Sequence, residues 1–194
     1  MQVSPVSIRQ WNYIRASAAG IAVLAVAISL IIAPDIDGVL GAGLAVIMAA
    51  IAAIDARYFI IPDELNIAAI ALGLISARFG TDGGMVEAAW AITRGVTLAF
   101  IFFGLRLAYR TLRKKDGVGL GDVKLAGVAG VWLGWQTVSM AIEIAALSAL
   151  IVYVMYCYLS DQALRTSAHQ PFGLFFAPAI WLGWLFDTLM SSPF

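Results

Sequence analysis

LAVIMAAIAAID, residues 44–55, is a run of eleven apolar residues that closes on a single carboxylate. Such a run predicts an apolar helix with Asp55 at its C-terminal end. The helix dipole disfavours a negative charge at that end, and an ionisable group inside an apolar helix of membrane type is a functional hypothesis by default. We therefore take Asp55 as a candidate catalytic residue.

The rest of the chain is nearly as apolar as this stretch. Hydrophobic residues make up 62% of the 194 residues and charged ones 12%, whereas soluble domains have about 45–50% and about 25%. The composition indicates an integral membrane protein with one domain, residues 1–194. Net charge is zero and basic tracts of nucleic-acid type are missing, so nucleic acid is not an expected partner. The one cysteine, Cys157, excludes an internal disulfide and a CxxC pair.

Polar breaks divide the chain into about seven apolar segments, and a membrane-spanning helix needs roughly 20 such residues. The segments lie near residues 16–33, 39–56, 65–77, 88–108, 121–135, 138–159 and 172–190. The first is read as a span and not as a removed signal peptide. The third and fifth are short, which suggests helices that begin below the lipid surface or border a water-filled cavity. The expected fold is an all-α membrane bundle of about seven helices, within a range of about six to eight.

Basic residues are distributed unevenly between the two sides that these segments define. With the N-terminus in the cytoplasm, ten of the twelve fall on the inner side, which is the bias that marks the cytoplasmic side. These ten are Arg9, Arg15, Arg57, Arg106, Arg110, Arg113, Lys114, Lys115, Lys124 and Arg165. Asp55, at the inner end of the second segment, and Asp122, at the inner start of the fifth, would then lie at the same depth.

A second stretch, GVGLGDVKLAG at residues 117–127, supplies the other carboxylate, Asp122. Three glycines at alternate positions, Gly117, Gly119 and Gly121, precede it, and they would let a substrate backbone or another helix approach closely. Two neighbouring aspartates can share one proton, so that one acts as base while the other stays an acid. That chemistry activates water for peptide hydrolysis and needs no metal and no cofactor.

The other polar residues have simpler explanations. Asp63 follows Pro62 at the start of the third segment, where a proline and a carboxylate suit the first turn of a helix. Glu143 and Asp187 lie toward the outer ends of helices, where a local hydrogen bond suffices. His169, the only histidine, falls in a predicted loop. Metal catalysis is therefore not expected, and no base is predicted near a buried serine for serine catalysis.

Three stretches together carry a family resemblance: AAIDARYFIIPDELN at residues 52–66, GVGLGDVKLAG at 117–127 and QPFGLFFAPA at 170–179. They resemble the first-aspartate motif ending in IPD, the GxGDxK motif and the later PFG segment of the type IV prepilin peptidases. These enzymes belong to the GxGD intramembrane aspartyl proteases. GxGD alone is weakly specific, but its combination with the upstream aspartate and IPD in a polytopic chain is strong. The resemblance covers roughly residues 49–178.

The resemblance implies that Asp55 and Asp122 form the catalytic pair of an aspartic endopeptidase. Its substrates would be pilin-like precursors with a basic leader and a hydrophobic helix, cut at the cytoplasmic face of the bacterial inner membrane. The supporting motif residues would be Gly119, Gly121, Lys124, Pro62, Asp63, Pro171, Phe172 and Gly173. Many bacterial members carry an N-terminal insertion with paired CxxC motifs, associated with N-methylation. This chain lacks it, so we expect a peptidase-only member, such as those serving tight-adherence (Flp-type) pili.

Two other functions fit parts of the sequence. Presenilin-like and signal-peptide-peptidase-like GxGD proteases act on transmembrane substrates, but they carry YD and PAL motifs where this chain has AIDAR and QPFG. A small proton-coupled transporter could use Asp55 or Asp122 as an ion site at discontinuous helices. The basic segment RTLRKKD, residues 110–116, is expected to contact anionic membrane lipids or simply to set the topology.

Overall fold

Seven α-helices make up the described part of the chain, in which no strand occurs. The structure, a computed structural model, describes residues 8–113, 119–159 and 171–191, without the side chains of 8–15 and 113. The helices are α1 (Ile8–Ile32), α2 (Ile36–Tyr58), α3 (Asp63–Phe79), α4 (Met85–Arg113), α5 (Leu120–Trp132), α6 (Trp135–Leu159) and α7 (Phe172–Ser191). The predicted all-α fold is confirmed.

Helix lengths identify the elements that can cross a bilayer. Among the described residues, four helices are long and apolar enough: Ile36–Tyr58, Met85–Leu112, Trp135–Leu159 and Phe172–Ser191. A shorter apolar helix covers Ala16–Ile32. With 17 residues in α3 and 13 in α5, these two helices are about 26 and 20 Å long, less than the roughly 30 Å of the hydrocarbon core. The chain is an integral membrane protein, and the prediction that its third and fifth helices are short is confirmed.

The fifth helix ends earlier than its predicted limit at residue 135. Leu133 has extended backbone angles, φ −113° and ψ 149°, and its N–H donates to the Ala129 carbonyl at 2.9 Å as the last bond of α5. Trp135 instead begins α6. Because Leu133, Gly134 and Trp135 continue the apolar pattern without a polar break, the sequence does not mark the boundary.

The core contains buried side chains from α2 to α7, and in it α5 packs against α3, α4 and α7. Small residues permit this contact: a Cβ added to Gly130 would lie 2.6 Å from the Arg94 carbonyl oxygen of α4. The Arg94 side chain also donates to the Gly130 carbonyl at 3.2 Å and pairs with Glu87 at 2.8 Å. The C-terminal half of α5 is therefore held deep in the bundle, and its N-terminal turn projects toward one end.

A cavity of about 610 Å³ opens at the other end of the bundle. Its lining includes residues near the last turns of α3 and α5, such as Ser76 and Trp132, together with Asp35 at the start of α2 and Asp187 near the end of α7. Both short helices thus border this cavity. We call this end, where α2 and α4 begin, the outer end, and the opposite end, where α3, α5 and α7 begin, the inner end.

Candidate active site

Asp55 lies in the last turn of α2 at the inner end and is only 5% exposed. Its Oδ2 accepts a hydrogen bond of 3.0 Å from the N–H of Leu174 in the first turn of α7, and the Gly173 amide also bonds to it. The start of a helix favours a negative charge. The dipole of α2 therefore disfavours the negative charge of Asp55, and the dipole of α7 stabilises it.

Gly173 is required at this contact. A Cβ on this residue would lie 2.9 Å from Asp55 Oδ2 and 2.8 Å from Ile61 Cδ1. Pro171 precedes α7, and its carbonyl accepts a 3.3 Å bond from the same Leu174 N–H. Phe172, the first residue of α7, packs its ring 5.4 Å from that of Phe176. The PFG segment thus forms the helix start that holds Asp55.

Asp122 is the third residue of α5 and is half-buried. Its Oδ2 accepts a 3.1 Å hydrogen bond from the N–H of Gly119, the residue before the helix. The carboxylate therefore caps its own helix at the end where the dipole favours it. A Cβ on Gly119 would lie 3.1 Å from this oxygen, so a larger residue there would crowd the cap. Gly117 lies outside the described residues.

Ile61 brings the two aspartates into one site. This side chain is 7% exposed, and it lies against both Gly173, beside Asp55, and Gly121, beside Asp122. A Cβ on Gly121 would lie 3.0 Å from Ile61 Cβ. Asp122 also interacts electrostatically with Asp55 and, with opposite sign, with Arg106 of α4. The close approach that the glycines permit is therefore made by the chain's own isoleucine.

Asp63 and Lys124 form an ion pair that the sequence analysis missed. Lys124 Nζ lies 2.5 Å from Asp63 Oδ1, joining the start of α3 to the first turns of α5. The sequence predicts Asp63 as a helix-start residue, and it is indeed the first residue of α3, after Pro62. The sequence does contain a signal for this pair, because Asp63 and Lys124 are motif residues of opposite charge that are predicted at the same depth.

Phe59 is a second feature of the site that the sequence did not indicate. It ends α2 in the left-handed conformation, φ 55° and ψ 34°, and its N–H donates to the Asp55 carbonyl at 3.0 Å. A non-glycine residue there costs roughly 1–2 kcal/mol. The reversal turns the chain back toward Ile61, and it leaves Tyr58, Phe59 and Ile60 as consecutive exposed apolar residues beside the carboxylate.

The remaining sequence candidates lie away from this site. Asp187, near the end of α7, accepts a hydrogen bond from the Thr137 hydroxyl and a 3.4 Å bond from the Gly134 N–H. Asp187 is hydrogen-bonded as expected, although both donors belong to the start of α6 and are not local in the sequence. His169 falls outside the described residues. The inner end thus combines two aspartates from separate helices, each held by a backbone amide, and such a pair can take a proton from water and return it to a leaving group.

Comparison with known proteins agrees with these motifs. Residues 42–155 match the model of the type IV leader peptidase family. Proteins named prepilin leader peptidase/N-methyltransferase are 28% identical over 88% of this chain in Aeromonas hydrophila and 30% identical over 75% in Pseudomonas aeruginosa. These alignments cover 57% and 48% of the two relatives, so the chain spans about half their length. No solved structure matches it. The chain belongs to the type IV leader peptidase family.

Proposed function

We propose that the chain is a membrane-embedded aspartic endopeptidase that removes the basic leader of pilin-like precursors, with Asp55 and Asp122 as its catalytic pair. The observation that carries the proposal is the convergence of these two motif aspartates around Ile61 in a chain of this family. The relatives' name, prepilin leader peptidase, supports the reaction and the substrate class.

The chemistry follows from two carboxyl groups that share one proton. The ionised carboxylate takes a proton from a water molecule as its oxygen attacks the scissile carbonyl carbon. The protonated carboxyl donates its proton to the carbonyl oxygen. When the C–N bond breaks, one carboxyl gives a proton to the leaving amine while the other carboxylate takes a proton from a hydroxyl of the gem-diol intermediate, so that the pair again holds one proton. The Leu174 and Gly119 amides would orient the carboxylates before the proton transfers begin.

The charges at the two ends of the bundle support an active site on the cytoplasmic face. Arg57, Arg106 and Lys124 belong to the aspartate end, as parts of the end of α2, the late part of α4 and the start of α5. The outer cavity is lined instead by several carboxylates, including Asp35 and Asp187. Cationic residues favour the cytoplasmic side. The N-terminus would then be cytoplasmic, in the inner membrane of a bacterium.

A precursor would contact both the bilayer and the cytoplasm at this site. Its hydrophobic helix would lie in the bilayer, and its leader junction would reach the aspartates at the cytoplasmic interface. Lipid tails would contact exposed apolar residues of α4 and α6, such as Phe100 and Leu147. A leader rich in lysine would be repelled by basic segments, so those segments are assigned to anionic lipid headgroups.

The test is cleavage by the purified chain in lipid nanodiscs. The probe is a recombinant precursor with a lysine-rich leader, a glycine and a long hydrophobic helix, and mass spectrometry reads the new N-terminus. We expect one cut at the leader junction. A cut inside the hydrophobic helix would instead support a presenilin-like protease, and an intact precursor would contradict a peptidase and leave the transporter.

The orientation has its own test. A reporter fused after Lys115 should report the cytoplasm, and one fused after Thr81 should report the opposite side. A periplasmic signal after Lys115 would put Asp122 on the wrong face for a cytoplasmic leader and would contradict the proposed location.

A further inference from the structure

The ion pair between Asp63 and Lys124 lies on the surface of the inner end. The Asp63 side chain is 62% exposed and that of Lys124 is 44% exposed. Exposed ion pairs contribute little to folding stability, and α3 and α5 are already joined by a buried bond, 2.9 Å, from Trp132 Nε1 to the Ala69 carbonyl. The pair is therefore not needed to hold the two helices together, and its effect is local to the first turns of α5.

Helix geometry relates this pair to Asp122. Residues two positions apart on an α-helix are separated by about 200° around its axis, so Lys124 and Asp122 point to opposite sides of the same turn. On one side the Gly119 N–H holds the Asp122 carboxylate. On the other side Asp63 holds Lys124. Rotation of this turn about the helix axis would strain the bond to Asp63, whereas the bond between Gly119 and Asp122 lies within the turn and would move with it.

The backbone at the start of α5 has more freedom than that of the rest of the helix, although Ile61 packs against its Gly121. Gly119 and Gly121 flank Leu120 at the beginning of the helix, and glycine leaves the backbone its largest conformational freedom. Gly119 has no side chain to cap the helix, so Asp122 itself supplies the cap. A carboxylate that exchanges protons with water loses part of that bond during the reaction. The ion pair then keeps the turn in place together with the contact of Ile61 at Gly121.

The short connection between α2 and α3 contacts the surroundings of both aspartates. It carries the buried Ile61, which lies between Gly121 and Gly173, and leads two residues later to Asp63. Ile61 thus separates the backbone beside Asp55 from the backbone beside Asp122, and Asp63 contacts the turn that carries Asp122. We propose that Asp63 and Lys124 are positioning residues whose ion pair fixes the direction of Asp122 toward Asp55. This inference rests on the proposed function.

Charge variants test the inference by cleavage kinetics in nanodiscs. Lys124→Ala and Asp63→Ala should each lower kcat by about ten-fold, because small misplacements of reacting groups are costly, and KM should stay nearly constant. The exchanged pair, Asp63→Lys with Lys124→Asp, should recover most of the loss, as should Lys124→Arg alone. Glu64→Ala, the exposed neighbour of Asp63, is the matched control and should cleave normally.

Three results of these kinetics would overturn the inference. The single variants could cleave at the wild-type rate, or the exchanged pair could fail to recover what the singles lose, so that the two charges act separately. Membrane abundance and thermal unfolding of each variant are measured alongside. A loss of kcat that is matched by a loss of folded protein would assign the pair to stability and would equally contradict a positioning role.

A second measurement does not depend on activity. In a Cys157→Ser background, Asp55→Cys and Asp122→Cys are combined, and a short thiol-specific linker measures how fast the two positions cross-link. Adding Lys124→Ala should slow cross-linking several-fold, and adding Glu64→Ala should leave it unchanged. Unchanged cross-linking with Lys124→Ala would refute the positioning role. Failure of the wild-type chain to cut the precursor would count against the proposed peptidase alone, since this measurement would still decide the positioning.

Discussion

Asp55 at the inner end and Asp187 at the outer end occupy similar places in the fold. Each lies near the C-terminal end of its helix, and each accepts a bond from an amide at the start of another helix, Leu174 for Asp55 and Gly134 for Asp187. They differ in their remaining neighbours. The Thr137 hydroxyl donates to the second oxygen of Asp187, whereas Asp55 interacts with another carboxylate, that of Asp122.

We propose that this difference separates a structural carboxylate, Asp187, from a reactive one, Asp55. A hydroxyl that donates to a carboxylate stabilises its charged form and asks nothing further of it. A second carboxylate destabilises double ionisation and leaves one proton to be shared. Position near a helix end therefore does not by itself distinguish the two aspartates, and the identity of the nearest polar neighbour is the better guide.

The largest effect is expected from Asp55→Asn and Asp122→Asn. An amide keeps the shape of the side chain but cannot exchange a proton, and general acid-base catalysis is worth about 10²- to 10⁴-fold, so each variant should lose cleavage almost completely. Asp187→Asn should cleave at close to the wild-type rate after correction for abundance. The measurement is the cleaved fraction of a co-expressed precursor. Normal cleavage by Asp55→Asn would refute the pair and make Asp63 the next candidate partner of Asp122.

A smaller loss is expected from Gly173→Ala. The added methyl would lie under 3 Å from both Asp55 and Ile61, so one of them must move, and we expect cleavage to fall by about 10- to 100-fold. Gly134→Ala, beside Asp187, is the matched change, because a Cβ there meets no atom of the described residues within 4 Å. Initial rates on the same precursor compare the two. Equal rates would mean that the inner end tolerates displacement.

Thr137→Val should reverse the pattern, with an effect on stability and not on cleavage. It removes the hydroxyl from Asp187, and a half-buried carboxylate that loses a donor should lower the free energy of unfolding by about 1–3 kcal/mol. Thermal unfolding in detergent measures the stability, and cleavage per folded molecule measures the activity. A fall in cleavage per folded molecule without a fall in stability would show that the outer end takes part in the reaction.

The smallest effects are expected from removing groups that the proposed mechanism does not use. Cys157→Ser lies in α6, away from both aspartates along the chain, and should keep most of the activity. Cleavage should also persist in excess EDTA, because two carboxylates and water supply the protons and the nucleophile. Activity that disappears with the chelator and returns with one particular metal would contradict this scheme.

The helices could be predicted from the sequence because a chain in lipid must satisfy its backbone internally, and long apolar runs therefore become helices. The same reasoning singled out Asp55, at the unfavourable end of such a run, and the glycine pattern singled out Asp122. The contacts between helices could not be predicted in this way. Neither the place of Ile61 between two glycines nor the pairing of Asp63 with Lys124 has a periodic signal, because each depends on where separate helices meet.

The left-handed turn at Phe59 was not predictable either, because the usual signal for it is glycine and this residue is an aromatic one. The end of α5 was predicted three residues too late, because Leu133 and Gly134, which connect α5 to α6, interrupt neither apolar run with a polar residue. In both places the deciding property is a pair of backbone angles, which an apolar sequence pattern does not encode.

The short central helix makes the protein responsive to the thickness of its membrane. At 1.5 Å per residue, the 29 residues of α4 and the 25 of α6 extend about 43 and 38 Å, against about 20 Å for the 13 of α5. Hydrophobic mismatch therefore acts on the long peripheral helices, which tilt to match a thinner or thicker bilayer. We therefore expect bilayer thickness to act more on α4, which carries Arg106, than on α5, which carries Asp122. Acyl-chain length is thus a mechanical variable for this site, set by the host membrane.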